Sequence, residues 1–340
     1  MDSFDVVIVG AGPGGLSCAR TLSGSGMKVL LIEKNDRVGK KICSGEISPK
    51  VYPGEDFDRG HPWTEITVGT DSTRHVVKFD RPYLWTVGRF ELESYIMGKS
   101  DADIRFSEVV TKITTTHIET SKGRYAYKHL VGADGSFSVV RRFLGLPARD
   151  VAGWAFHYLV DKPCGSFEMY WLPKTFPSSY GYMMSKSRGQ TMIGLAWRGE
   201  EFDNAMAQKA KPWIAKTFGI DVKKLRSEAM KGNADYRGWK FGNIYLVGDA
   251  GGFLNPLTTE GIYYAIKSGE GVGRHILGDP EGGRIMERMA GAHKWQAFIY
   301  GVATDTRLPF CWLINWVLSD PRSGIRRRIF GWVFWKFMDG

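Results

Sequence analysis

The chain has 340 residues, 43% of them apolar, enough for one large core or two smaller ones. Its formal charge of +10 implies an anionic partner, and nucleic acid fits poorly, because there is no zinc-ligand spacing, helix-turn-helix pattern or basic low-complexity arm. Cys18, Cys43, Cys164 and Cys311 show no paired spacing for a metal site or disulfide frame, so no metal is expected and a reducing cytoplasm is the simplest setting.

The N-terminus goes straight into a strand, leaving no room for a signal peptide, and no apolar run approaches the roughly 20 residues of a membrane-spanning helix. That strand, the β-branched run from Val6 to Val9, has the pattern of a strand buried on both faces, and it turns through glycines into a helix. Gly10 permits the tight turn, Gly12 lets backbone approach a pyrophosphate, and Gly15 lets helix pack on strand, with Pro13 and Gly14 completing the turn. Val29 to Ile32 reads as the second strand. It ends in Glu33, roughly 20 residues after the glycines, where a ribose diol would be held and a 2′-phosphate repelled. Together these predict a dinucleotide site with phosphate charge on the helix N-terminus.

A late segment decides which dinucleotide. Asn243 to Val247 is another strand, Asp249 lies at its carboxyl end, and a helix is expected to start near Thr258 or Thr259. An NAD dehydrogenase needs no second phosphate-side grip, whereas a flavin offers ribityl hydroxyls to Asp249 and its ring can lie beside Gly261 and Ile262.

Three segments carry a resemblance: the glycine fingerprint, Lys128 to Ser136 with Ser138 and Arg141, and Val247-Gly-Asp249. They are similar to the FAD motifs of the para-hydroxybenzoate hydroxylase superfamily. Within it the chain resembles the geranylgeranyl reductase family, through Lys41-Ile-Cys-Ser-Gly45, Pro82 to Arg89 and Thr259 to Gly269. The match spans roughly residues 1 to 275. Two stretches depart from the family pattern: Tyr180 to Lys186, with Tyr182 for a tryptophan and Ser185 for a proline, and the Cys-Ser-Gly-Glu order after Ile42.

The resemblance implies FAD as cofactor, with Gly10, Gly12, Pro13, Gly14, Gly15, Glu33, Lys34, Ser44, Gly45, Arg89, Val110, Asp134, Asp249, Gly261 and Ile262 against it. It implies an α/β (α+β) fold: a Rossmann-like βαβ domain from residues 1–60, 83–150 and 238–280, an antiparallel substrate sheet from 61–82 and 151–237, and C-terminal helices from 281–340. Alternation and aromatic enrichment from Gly153 to Trp197 and from Glu65 to Phe79 agree with that sheet, and residues 204–218 read as a helix.

Expected chemistry is saturation of an isoprenoid C=C bond, with hydride from N5 of reduced FAD and a proton from an acid in a dry, apolar site. Cys43 is the first candidate for that proton or for positioning the alkene, and Tyr180 and Tyr182 are alternative acids or walls. Arg89 is placed at the FAD phosphate or ribityl region, Arg141 as a brace, and His157 as a satisfied core residue. Rivals are a flavin monooxygenase, a flavin dehydrogenase passing electrons to quinone, and a lipid-binding protein with a vestigial flavin fold. The partners expected are an isoprenoid lipid or prenyl diphosphate and an electron donor, either NAD(P)H, ferredoxin or another reduced carrier. The tail, Leu308 to Leu318 and Ile329 to Trp335 around Arg322 to Arg328, alternates tryptophan and arginine with aliphatics. It reads either as peripheral contact with the inner face of the cell membrane or as a helical lid packed on the protein's own surface or on a second subunit.

Overall fold

The computed structural model describes residues 1–146, 152–172, 175–176, 179–186, 189–198, 203–256, 258–304 and 316–330. The chain opens with β1 (Asp2–Val9), α1 (Pro13–Leu22) and β2 (Val29–Ile32). Five short strands follow, β3 (Glu46–Ile47), β4 (His61–Trp63), β5 (Glu65–Gly69), β6 (Arg74–Lys78) and β7 (Leu84–Thr86). Next come α2 (Arg89–Met97), β8 (Asp103–Arg105), β9 (Val110–Ile113), β10 (His117–Thr120), β11 (Arg124–Gly132) and α3 (Val139–Phe143). Then β12 (Ala152–Val160), β13 (Phe167–Trp171), β14 (Ser179–Lys186) and β15 (Gln190–Arg198) lead into α4 (Asn204–Phe218) and β16 (Ser227–Asn233). Last are β17 (Lys240–Phe241), β18 (Ile244–Leu246), α5 (Gly248–Gly251), α6 (Ile262–Ile276) and α7 (Pro280–Thr304).

These elements form two compact units. The first comprises Met1–Lys41, Arg89–Val151 and Gly232–Trp295, and the second Ile42–Gly88, Ala152–Lys231 and Gln296–Gly340. Residues 42–60 and 83–88, expected with the N-terminal βαβ unit, fall instead in the second. The cause is local: β3, β4 and β7 make a small sheet of their own, and Trp63, Tyr83 and Leu84 bury themselves in the core of the second unit. The expected C-terminal helical segment also divides, since α7 runs from one unit into the other.

In the first unit, β1 lies between β11 and β2 and is parallel to both, with Val9 opposite Gly132 and Ile32. Its Val6, Val7 and Ile8 are fully buried, as the unbroken β-branched run requires. Helices α1 and α6 approach so closely that a Cβ on Gly269 would collide with the Gly14 carbonyl. Helix α6 begins at Ile262, later than Thr258 or Thr259. Thr259 takes φ +57°, and Asn255 accepts from the Thr258 amide, so the chain makes a tight loop before Gly261 can cap the helix.

The second unit is built on a seven-stranded sheet in the order β16-β12-β15-β14-β13-β5-β6. Its period-2 alternation sorts two cores. Ile193, Leu195 and Trp197 face α4 through Ala210 and Ile214, while Met192 and Ala196 share the other face with Ala155, Phe167, Tyr182 and Met184. Strand β16 was not expected, because Ser227-Glu-Ala-Met-Lys-Gly-Asn233 carries too few apolar residues to signal it. Of the tail, residues 305–315 and 331–340 lie outside the described residues. Val317 and Phe330 are buried on the Tyr182 face of the sheet, with Trp316, Leu318 and Ile329 beside them. No helix among the described residues is long and apolar enough to cross a membrane.

Candidate functional site

In the first unit the glycine turn takes up the geometry that its spacing predicts. Gly10 has φ +105°, and a Cβ there would lie 2.5 Å from the Ala133 carbonyl oxygen. Gly12 is the N-cap of the ten-residue α1, with no side chain capping it, and a Cβ on Gly12 would meet nothing within 4 Å. Pro13 occupies the first turn, where a missing N–H costs nothing. Gly14 and Gly15 are locked by packing: a Cβ on Gly14 would come 3.1 Å from Val247 Cγ2, and one on Gly15 would collide with the Gly10 carbonyl. An uncapped helix start facing open space is the feature a phosphate requires, so these residues fit a dinucleotide.

Glu33 is buried at the end of β2. Its Oε2 accepts from the Ala11 amide at 2.9 Å, and its Oε1 from the Asn35 amide at 2.9 Å and the Asn35 side chain at 2.6 Å. The carboxylate is thereby tied to the glycine turn itself. Lys34 is exposed, and Val110 opens β9 and packs on the core beside Ile118 and Tyr127.

Arg89 starts α2 and pairs with Glu93, whose other oxygen accepts from the Gly39 amide at 2.5 Å. Both side chains are buried. Arg141 braces this unit as expected, donating to the Asp235 carboxylate at 3.0 Å and the Ala250 carbonyl at 3.2 Å.

Asp249 is buried in α5, and its Oδ2 accepts from Lys41 Nζ at 2.6 Å and Ser136 Oγ at 2.9 Å. Asp134 Oδ2 accepts from the Val139 and Val140 amides at the start of α3, while its buried Oδ1 has no hydrogen-bond partner among the described residues. Burial raises the Asp134 carboxyl above the usual carboxylate range. Gly261 caps α6 with no side chain capping in turn, and a Cβ on it would lie 3.7 Å from Asp249 Oδ1. Ile262 is buried behind it.

The second unit holds the expected acids. Gly45 takes φ +82°, where a Cβ would collide with the Val87 carbonyl, and its amide donates to Cys43 Sγ at 3.4 Å. Cys43 is half-buried. Ser44 Oγ donates to Glu46 Oε2 at 3.4 Å. Burial pushes the Glu46 carboxyl up to about 7, and the Ser44 hydrogen bond only partly opposes it. Tyr182 is buried and its phenol is held well above the usual value, first by burial and then by the nearby Tyr180, Glu46 and Cys43. Tyr180 is half-buried, with its ring 6.2 Å from that of Tyr182. The structure thus brings Cys43, Tyr180 and Tyr182 into one electrostatic neighbourhood and adds Glu46 to it.

Sequence reasoning missed four partners. Glu46 and Lys41 border the cysteine loop, where a search for acids and counter-charges would have found them. Glu93 follows Arg89 at helical i,i+4 spacing. Glu228 lies on the unforeseen β16. It accepts from buried His157, which therefore has polar partners at both ring nitrogens.

Comparison with known proteins adds three findings. A family profile described as an NAD(P)-binding Rossmann-like domain matches residues 8–78. A digeranylgeranylglycerophospholipid reductase of Methanocella arvoryzae is 27% identical over 80% of this chain and 77% of its own. A geranylgeranyl bacteriochlorophyll reductase-like protein from Thermoplasma acidophilum superposes with a TM-score of 0.74 at 17% identity, over 90% of this chain and 88% of that one. The chain resembles the geranylgeranyl reductases. Its mixed α/β architecture is that of the FAD-dependent oxidoreductases. The same fold is found in a probable FAD-dependent monooxygenase from Pseudomonas aeruginosa, with a TM-score of 0.67 at 16% identity over 92% of this chain and all of that one.

Proposed function

We propose that the chain is an FAD-dependent reductase that saturates carbon–carbon double bonds of an isoprenoid chain carried on a lipid or a diphosphate. In this reading the turn from Gly10 to Gly15 would hold the pyrophosphate, Glu33 the ribose, Asp249 the ribityl hydroxyls, and Gly261 and Ile262 the flavin. Arg89 supports that grip through Glu93 and the Gly39 amide. Bound and reduced, FAD supplies the hydride.

The protein must supply the proton, and one observation carries this reading. Tyr182 stays protonated at neutral pH and Glu46 keeps its proton up to about 7, in a unit whose core groups Tyr182 with Trp63, Phe167, Met184 and Met192. An unactivated alkene has no oxygen to take charge, so an acid must hold its proton until carbon accepts it, in surroundings that exclude water. Neutral acids among apolar side chains meet that requirement, and Cys43 adds a thiol that desolvates at little cost. Isoprenoid recognition by apolar contact needs no further polar group.

The test is anaerobic turnover. Holoenzyme reduced with dithionite is mixed with geranylgeranyl lipid, and the product is weighed by mass spectrometry. Addition of two hydrogens per double bond without oxygen supports the reading. Product that forms only with oxygen and carries an added oxygen atom would replace it with a monooxygenase.

A further inference from the structure

Four strands of the second unit carry a row of side chains across one face of the sheet. On β15, Gly194 lies opposite His157 of β12 on one side and Tyr182 of β14 on the other. His157 and Tyr182 are therefore two strand spacings apart, about 10 Å between backbones. They meet nonetheless, sharing a hydrogen bond of 3.1 Å between His157 Nδ1 and the Tyr182 hydroxyl. This is possible because Gly194 places nothing between them: a Cβ there would lie 2.6 Å from His157 Cα. On the far side, His157 Nε2 reaches Glu228 Oε2 of β16 at 3.3 Å. His157 is fully buried, and Glu228 is buried on the edge strand.

We propose that His157 and Glu228 form a proton store behind Tyr182, and that their protonated form is the one that lets the Tyr182 phenol act as the acid of the reductive step. The inference rests on the function proposed above and deepens it; His157 and Glu228 are positioning residues that act through Tyr182. The proton balance is simple. The phenol O–H bond breaks as a C–H bond forms on the substrate carbon, and the imidazolium Nδ1–H then protonates the phenoxide. Neutral imidazole remains, with Nε2–H donated to ionised Glu228. Water admitted as product leaves returns one proton through the phenol to Nδ1.

The surroundings set the store's midpoint. Facing it are Glu228 and Arg226 from β16, and Lys186, Tyr180 and Tyr182 from β14, while β15 contributes only the uncharged Gly194; Cys43 and Glu46 lie near Tyr182. Burial lowers the His157 midpoint below its ordinary value of 6.5, Glu228 opposes that, and Lys186 adds to it. Glu228 is held at about 2 by the His157 hydrogen bond and by Lys186, so it stays an anion throughout.

The experiment uses full-length holoenzyme with 15N-labelled histidine. The His157 resonance is titrated between about pH 5 and 8, and kcat for polyprenyl lipid reduction is measured over the same range. His157 should titrate below 6.5, and kcat should fall as pH rises through the same midpoint. Glu228→Gln should move both midpoints down and Lys186→Met should move both up, each by about tenfold in proton affinity. His157→Asn still bonds to Tyr182 but cannot charge, so its rate should lose that limb of the profile. A His157 resonance that moves in the variants while the kcat limb stays in place overturns the inference, as does a limb that survives His157→Asn. If no double bond is reduced, yet the His157 midpoint moves in the Glu228 and Lys186 variants and Tyr182→Phe shifts the His157 resonance, the substrate reading fails and the coupling stands.

Discussion

Glu46 offers a test of the site that needs no substrate. Its carboxyl is raised by burial from 4.5 to about 7. Between those values the folded chain holds a proton that the unfolded chain has lost, so stability falls as pH rises through the window. At about 1.4 kcal/mol per tenfold change in proton affinity the full rise amounts to about 3 kcal/mol, and the partial accessibility of Glu46 reduces this to about 2 kcal/mol. Glu46→Gln keeps the Ser44 hydroxyl paired and cannot ionise. Its stability relative to wild type should therefore grow by about 2 kcal/mol between pH 5 and pH 8, measured by urea unfolding of the full chain at several pH values. A difference that stays constant to within about 0.5 kcal/mol would show that Glu46 is an ordinary solvated carboxylate, and the neutral acid in the proposed site would go with it.

Other predictions follow from single contacts. Gly12→Val should leave the unfolding midpoint unchanged, since its φ of −76° suits any residue and a Cβ meets nothing within 4 Å, yet FAD titration should show at least about tenfold weaker binding. Gly15→Val should fail to give folded protein at all, because its Cβ would collide with the Gly10 carbonyl. Phe330→Ala should cost about 3 kcal/mol in thermal or urea unfolding if the tail is a structural part of the second unit, and liposome sedimentation of the same variant should match wild type. Acid should destabilise the fold through Glu228: its folded value of about 2 lies below the ordinary 4.5, so its contribution is whole above 4.5 and drains away as pH falls toward 2. Glu228→Gln should flatten that part of the stability curve.

Much of the first unit was legible because its chemistry forces its sequence. Only glycine suits φ +105° at position 10, and only a side chain without a Cβ can sit against the Gly10 carbonyl at position 15. The second unit gave less away. Alternation along Thr191 to Trp197 marks a strand, and α4 spans 204–218 as read, but alternation does not say which strands are neighbours. The His157–Gly194–Tyr182 row is a product of register, with β15 lying between β12 and β14, and no local pattern encodes it. For the same reason His157 reads as a satisfied core residue in the sequence, and nothing local singles out Glu228.

Two carboxyls of the second unit show how one residue type takes opposite roles. Glu228 has Lys186, Arg226 and His157 around it and is fixed as an anion at about 2. Glu46 bonds to the Ser44 hydroxyl, near the phenols of Tyr83 and Tyr182, and holds its proton to about 7. Environments that push two like groups this far apart assign an acid and a counter-charge. The proposed reduction uses both: a carboxyl that stays neutral beside the Tyr182 acid, and a fixed negative charge that lets the neighbouring imidazole of His157 take a proton. Glu46→Gln and Glu228→Gln should each slow protonation while leaving FAD bound, because neither residue is among those proposed to hold the cofactor. Loss of flavin from either variant would contradict this division of labour.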